Sequence, residues 1–144
     1  MKRLVRLLAS SLYLGYLPAP GAWGSAVGLV LAWFWPEFLI LQLVLLTVLG
    51  YTLTLYAEPA FGGKDPGPFV MDEVCGMMLS VLWLPRIFGL YVAAYVLFRV
   101  LDVRKPWPIS LLQKMKHPFS IMHDDLAAGL FANALLQIYC RLTL

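Results

Sequence analysis

Charge is what this 144-residue sequence has least of: Asp, Glu, Lys and Arg make up 13% of it, about half the share of an ordinary soluble domain. Hydrophobic residues make up 61% and the mean hydropathy is +0.78. That balance argues against a soluble globular protein and for one integral-membrane unit over residues 1–144, without room for a second domain. The net charge of +3 is weak, and no basic run interleaves with aromatics, so no nucleic-acid partner is expected. A small positive excess suits anionic lipid headgroups instead. Cysteine is scarce too. Cys75 and Cys140 lie in apolar stretches, with no spacing for a disulfide framework or a zinc site, and read as packing residues.

Uninterrupted apolar runs are also few. The N-terminal stretch of Lys2, Arg3 and Arg6 before apolar residues mimics a signal peptide, but it continues into Pro18-Ala19-Pro20-Gly21 and further spans, and is expected to be retained. Leu4–Leu17 reads as an interfacial helix, Pro18–Gly24 as an irregular loop, and Ser25–Trp35 as a short helix. Phe38–Tyr56 is the cleanest span. Val74–Leu84 and Ile87–Phe98, divided by Pro85-Arg86, are each short for a bilayer; they form either a hairpin or a pair in which one helix starts deeper with help from its neighbours. Leu126–Cys140 is the last apolar helix. The fold class expected is all-α: a compact polytopic membrane helical bundle with short and broken helices. Lys2, Arg3 and Arg6 at the start, and Arg99, Arg104, Lys105, Lys114 and Lys116 later, place both regions in the cytoplasm by the positive-inside rule. An even number of crossings between them brings Pro18–Ser25, Lys64–Glu73, Arg99–Pro108 and Met122–Asp125 to one membrane face.

Six of the eight acids fall in those converging stretches: Asp65, Asp72, Glu73, Asp102, Asp124 and Asp125. Carboxylates at the ends of apolar helices are costly to desolvate and are retained for a task. Gathered at one face they repel one another unless a cation intervenes, and hard oxygen ligands favour Mg2+, Mn2+ or Ca2+ over zinc. Mg2+ keeps waters and binds phosphate, so the expected task is to hold that ion against a lipid phosphate. Asp72 and Asp125 are the expected ligands, with Glu73 and Asp124 either ligands or the water-orienting base. The competing reading is that these acids only cap helices. Glu37 and Glu58 look like ordinary interfacial charges. Arg99 and Asp102 are three apart on one helix face. Asp102 is expected to orient Arg99 or Lys105, or to add to the metal site. Lys64, Arg99 and Lys105 are expected to contact phosphoryl oxygens. Pro20–Ser25 opens a helix whose donors, with Ser25, can cradle an anion. His123 is either a proton donor to a leaving group or a headgroup-facing histidine, and the role of His117 stays open.

Four stretches, in order along the chain, carry a resemblance: Pro20-Gly21-Ala22-Trp23-Gly24-Ser25, Val70-Met71-Asp72-Glu73-Val74-Cys75-Gly76, the run from Phe98 through Asp102 and Lys105-Pro106-Trp107-Pro108 to Ile109, and Ile121-Met122-His123-Asp124-Asp125-Leu126-Ala127-Ala128-Gly129. Together they resemble the phosphatidylglycerophosphatase A family. The resemblance implies a bacterial inner-membrane, multi-pass, Mg2+-dependent phosphatase whose active site faces the cytoplasm. It would convert the lipid phosphatidylglycerophosphate to phosphatidylglycerol. Ala22 stands where the family usually has Thr, and His117-Pro118-Phe119-Ser120 where it has a glycine-rich stretch. A related membrane phosphatase acting on another lipid phosphate gives the same sequence pattern, whereas two other classes predict different ones. A cation carrier needs acids in mid-span, and a lipid-binding scaffold needs the bases but few of the carboxylates.

Overall fold

A computed structural model describes residues 1–63 and 66–144. Seven α-helices and two single 3-10 turns account for the architecture, with no strand among the described residues. They are α1 (Lys2–Ala9), α2 (Pro20–Phe34), α3 (Leu39–Phe61), α4 (Met71–Ser80), α5 (Phe88–Arg104), α6 (Ile109–Gln113) and α7 (Ser120–Thr143).

Three boundaries differ from the sequence reading, each for a physical reason. The helix expected over Leu4–Leu17 ends at Ala9, because Ser11, Leu12 and Tyr13 turn left-handed at φ 49, 59 and 69 and leave only a 3-10 turn at Leu14–Tyr16. The stretch Pro18–Gly24 is not an irregular loop, because α2 already starts at Pro20. Proline is well suited to the first helical position: its fixed φ is helical, and the N–H it lacks would be unpaired there anyway. Ala19, at φ 56, reverses the chain just before it. Likewise α7 starts at Ser120 rather than Leu126, so Asp124 and Asp125 lie inside a helix, on its buried side.

The stretch Pro36–Phe61 and α7 are the two described helical segments long and apolar enough to cross a membrane. Helix α3 ends at Gly62 in a left-handed cap, φ 86. Arg6 Nε donates to the carbonyl of Ala60 at 2.7 Å, so α1 packs at this end of α3. Helix α4 is ten residues long, roughly 15 Å at the standard rise, and cannot cross alone. It is the hub instead. Helices α2, α3, α5 and α7 all pack on it, and Val74, Cys75, Met77 and Met78 are buried at their centre.

An α4 that stops short leaves carbonyls to satisfy in an apolar setting. Asn133 of α7 donates to the carbonyls of Ser80 at 3.1 Å and Leu82 at 2.8 Å, and Gln137 donates to Leu82 at 3.1 Å. Where α4 crosses α7, Gly76 and Gly129 let the two backbones touch. A Cβ on Gly76 would meet the Asp125 carbonyl at 2.6 Å, and one on Gly129 would collide with the Gly76 carbonyl. This close approach seats the start of α7 beside the start of α4. Helix α5 returns antiparallel to α4, completing a hairpin. At the opposite end of the bundle, Trp33 of α2 packs edge-on against Phe88 and Tyr91 at 6.1 and 5.1 Å. The Arg86 guanidinium lies 4.8 Å over the Trp33 ring.

Candidate active site

The first turn of α4, the last turn of α5 and the second turn of α7 open onto one cavity of about 750 Å3. Asp72, Glu73, Asp102, Lys105, Asp124 and Asp125 line it. More of the wall comes from Glu58 of α3, from Gln113 at the end of α6, and from Met115, Lys116, His117 and Pro118 before α7. The convergence of distant polar stretches expected from the sequence is therefore met in three dimensions.

The carboxylates divide into two groups. Asp72, Glu73 and Asp125 each offer an oxygen, and these oxygens lie within 4.8 Å of one another. Asp72 and Asp125 are 8% and 2% exposed. Glu73 Oε2 and Asp125 Oδ2 are buried with no hydrogen-bond partner. Burial lifts the Asp72 carboxyl well above the ordinary carboxylate range, and the neighbouring charges of Glu73 and Asp125 raise it further. Burial also raises Glu73, and its hydrogen bond with Asp72 opposes the rise. Buried carboxylates left unpaired are expensive. A convergent set of hard anionic oxygens with free lone pairs fits a hard divalent cation.

Asp124 belongs to the second group. Its Oδ1 accepts the Asp125 backbone N–H at 3.0 Å, and its Oδ2 accepts from Lys105 Nζ. Sequence spacing places it as a ligand or base, whereas the structure engages its carboxylate with a lysine. Lys105 also lies 4.0 Å from Asp102. It caps α5 with φ 43 and ψ 59, a left-handed conformation disfavoured for a residue with a Cβ. That turn directs its side chain back across the cavity to α7. Burial pulls the Lys105 ammonium down, but Asp124 outweighs it and holds the group above its usual value.

Asp102 accepts from Arg99 Nη1, one turn earlier on α5. The guanidinium lies behind the acids rather than in the cavity wall. A Cβ on Gly21 would meet Arg99 Nη1 at 2.6 Å and Glu73 Oε1 at 2.9 Å. Only glycine there admits both groups beside the start of α2. Arg99, expected at the phosphate, gives its Nη1 to Asp102 and is not among the residues lining the cavity. Ser25, expected at an anion, is fully buried, and its hydroxyl donates to the Gly21 carbonyl at 2.7 Å. Four residues further into α2 than Gly21, it packs inside the bundle and caps nothing. Lys64 and Asp65 lie outside the described residues.

His123 packs its ring 5.4 Å from that of Tyr51 and is absent from the cavity wall. His117 is in the wall, and its Nδ1 accepts the Phe119 N–H at 3.3 Å. The residue that sequence reasoning misplaced is Glu58. Its place beside an apolar run suggests an ordinary interfacial charge, yet the wall includes it.

Comparison with known proteins agrees with this geometry. The profile of the phosphatidylglycerophosphatase A family matches residues 7–140. Phosphatidylglycerophosphatase A of Escherichia coli is 36% identical over 138 residues, covering 90% of this chain and 80% of its own. The enzyme of the same name from Haemophilus influenzae is 33% identical over 136 residues, covering 89% and 83%. A putative phosphatidylinositol-3-phosphatase of Bacteroides thetaiotaomicron is 32% identical over 79 residues, 53% of this chain and 50% of its own. No solved structure matches significantly.

Proposed function

The chain belongs to the phosphatidylglycerophosphatase A family, and from that premise we propose that it hydrolyses phosphatidylglycerophosphate to phosphatidylglycerol and phosphate with Mg2+ held by Asp72, Glu73 and Asp125. The observation that carries this reading is the set of three carboxylates within 4.8 Å, with buried oxygens unpartnered, beside a cavity of about 750 Å3. A cavity of that size suits a whole headgroup rather than a lone phosphate.

A bound Mg2+ would supply Lewis-acid polarisation of the phosphoryl group and a more acidic water. The chain's own residues do the rest. Lys105 faces the cavity and offsets charge on the phosphoryl oxygens, an electrostatic role strongest where water is excluded. Asp124 holds Lys105 in place, and Asp102 holds Arg99 against the back of Glu73. Glu73, with a free Oε2, accepts a proton from the attacking water. The water oxygen bonds to phosphorus, the bond to the glycerol oxygen breaks, and that oxygen takes a proton from solvent to become the hydroxyl of phosphatidylglycerol, while Glu73 gives its proton back to solvent. The acyl chains stay in the bilayer. The preponderance of Lys and Arg at the cavity end supports a bacterial inner-membrane protein whose site faces the cytoplasm.

The test is phosphate release by purified protein in detergent. The substrates are phosphatidylglycerophosphate, phosphatidic acid and a soluble phosphate ester, each with Mg2+ and with chelator. Release from phosphatidylglycerophosphate that stops on chelation and returns with Mg2+ is expected. Undiminished release in chelator overturns the metal assignment, and no release from any lipid phosphate overturns the activity.

A further inference from the structure

Phosphatidylglycerophosphate carries two anionic groups, the terminal monoester to be cleaved and an internal phosphodiester that survives in the product. The buried carboxylates and Lys105 account for the first. Nothing described so far accounts for the second, and a diester entering a cavity with six acids in its wall needs a cation of its own. Lys105 is committed to Asp124 and Asp102. Arg99 is committed to Asp102 and stands behind the wall. Among the described residues, Lys116 is the one Lys or Arg of the wall in no ion pair.

Its placement suits the task. Asp72 and Asp125 are buried, whereas Lys116 is exposed, so the acids form the floor and Lys116 stands at the mouth. A lipid headgroup must arrive with its terminal phosphate deepest and its diester nearer the acyl chains, which is the order floor to mouth. Glu58 of the facing wall repels a diester that strays to that side.

Resting on the activity proposed above, we propose that Lys116 binds the internal phosphodiester of the lipid and so selects a headgroup bearing a second phosphate. Lys116 is then a substrate-binding residue that touches no reacting atom. Its loss weakens binding of any ligand that carries the diester and leaves ligands without it untouched.

The experiment compares wild type with Lys116→Ala, Lys116→Arg and, as a surface-charge control, Lys114→Ala, which lies outside the wall. Three quantities are read in Mg2+-containing mixed micelles: kcat and KM for phosphatidylglycerophosphate, inhibition by phosphatidylglycerol, and inhibition by inorganic phosphate. Phosphatidylglycerol keeps the diester and lacks the monoester, whereas inorganic phosphate reports on the floor alone. Lys116→Ala should raise KM and the phosphatidylglycerol inhibition constant about tenfold, the order of one charge-assisted hydrogen bond. Phosphate inhibition should stay unchanged and kcat within about twofold, since binding is lost uniformly. Lys116→Arg should recover most of the loss, and Lys114→Ala should show none. Unchanged constants in Lys116→Ala, a parallel shift in phosphate inhibition, or an equal effect in Lys114→Ala each overturn the proposal. A wild type that releases no phosphate from the lipid overturns the underlying activity instead, so the two failures are distinct.

Discussion

At the scale of single residues, the site sets catalysis against stability. Three carboxylates each bring one oxygen within 4.8 Å of the others', and without a cation they repel at short range in a poorly screened setting. Replacing Asp125 or Asp72 by Asn keeps the shape and removes one charge. Both variants should lose at least roughly 10²-fold in turnover, the order seen when one main electrostatic group is deleted. Both should also melt higher than wild type in chelator and gain less from added Mg2+, because the binding that stabilises the native state is weakened. Thermal melts with and without the ion, beside the turnover assay, check both halves. A wild-type-like gain in Mg2+ would remove these residues from the ligand set. The sequence alone exposes these acids, because charge is rare in it and Asp72, Glu73 and Asp125 begin apolar stretches. It does not expose the split between them. Asp124 and Asp125 are adjacent and look equivalent, yet successive helical side chains diverge by about 100°, and only the fold shows which one meets Lys105.

At the scale of elements, the site depends on how closely α7 can approach α4. Asp125 and Gly129 are four apart, on the same face of α7, and Gly129 rests on the backbone of Gly76. Between membrane helices, such small-residue contacts replace hydrophobic driving force with close packing. Gly129→Ala must push α7 outward, by overpacking that costs about 1–3 kcal/mol, and carry Asp125 away from Asp72. A displacement near 1 Å costs about 10²-fold in rate. The variant should therefore lose turnover well beyond its loss of melting temperature, whereas Leu130→Ala, at an exposed neighbour, should leave both close to wild type. Equal behaviour of the two variants would remove the crossing from the design of the site. The apolar periods and the Pro and Gly breaks give the helices, but they locate several boundaries by polarity. Read by polarity, α7 starts after its charged residues and α2 after its prolines. Both errors share a cause: proline at N1 and acids on a buried helical face are tolerated where tertiary contacts receive them. The hub position of α4 has no local signature either, since the short apolar run after Glu73 looks alike in a half-span and in a core helix.

At the scale of the whole molecule, the helix ends sort into two groups. The starts of α2, α4 and α7 and the ends of α3 and α5 gather at the cavity, as Gly21, Asp72, Asp125, Glu58 and Lys105 show. Helix α1 joins them through Arg6 and Ala60, and Val70 N–H donates to the Ala9 carbonyl at 2.9 Å. Trp33, Arg86 and Phe88 mark the other end. Helix α7, starting at the cavity and running 24 residues, or roughly 36 Å, carries Leu144 to that other end. In the orientation we propose, α7 crosses the membrane, and Lys2 and Thr143 fall on opposite faces. Basic residues are dense at the cavity end, where Lys2, Arg3, Arg6, Arg104, Lys105, Lys114 and Lys116 sit, and sparse at the other, where Arg86 and Arg141 sit. By the positive-inside rule this asymmetry supports the proposed cytoplasmic orientation of the cavity. With Cys75 and Cys140 replaced by Ser, a cysteine introduced at Lys114 should resist a membrane-impermeant thiol reagent in intact cells and react after the inner membrane is opened. A cysteine introduced at Thr143 should react once the outer barrier alone is breached. Labelling of both positions from the same side would place α7 across the surface of the bilayer instead of through it, and would take the polar floor of the site out of reach of a lipid held in the inner leaflet.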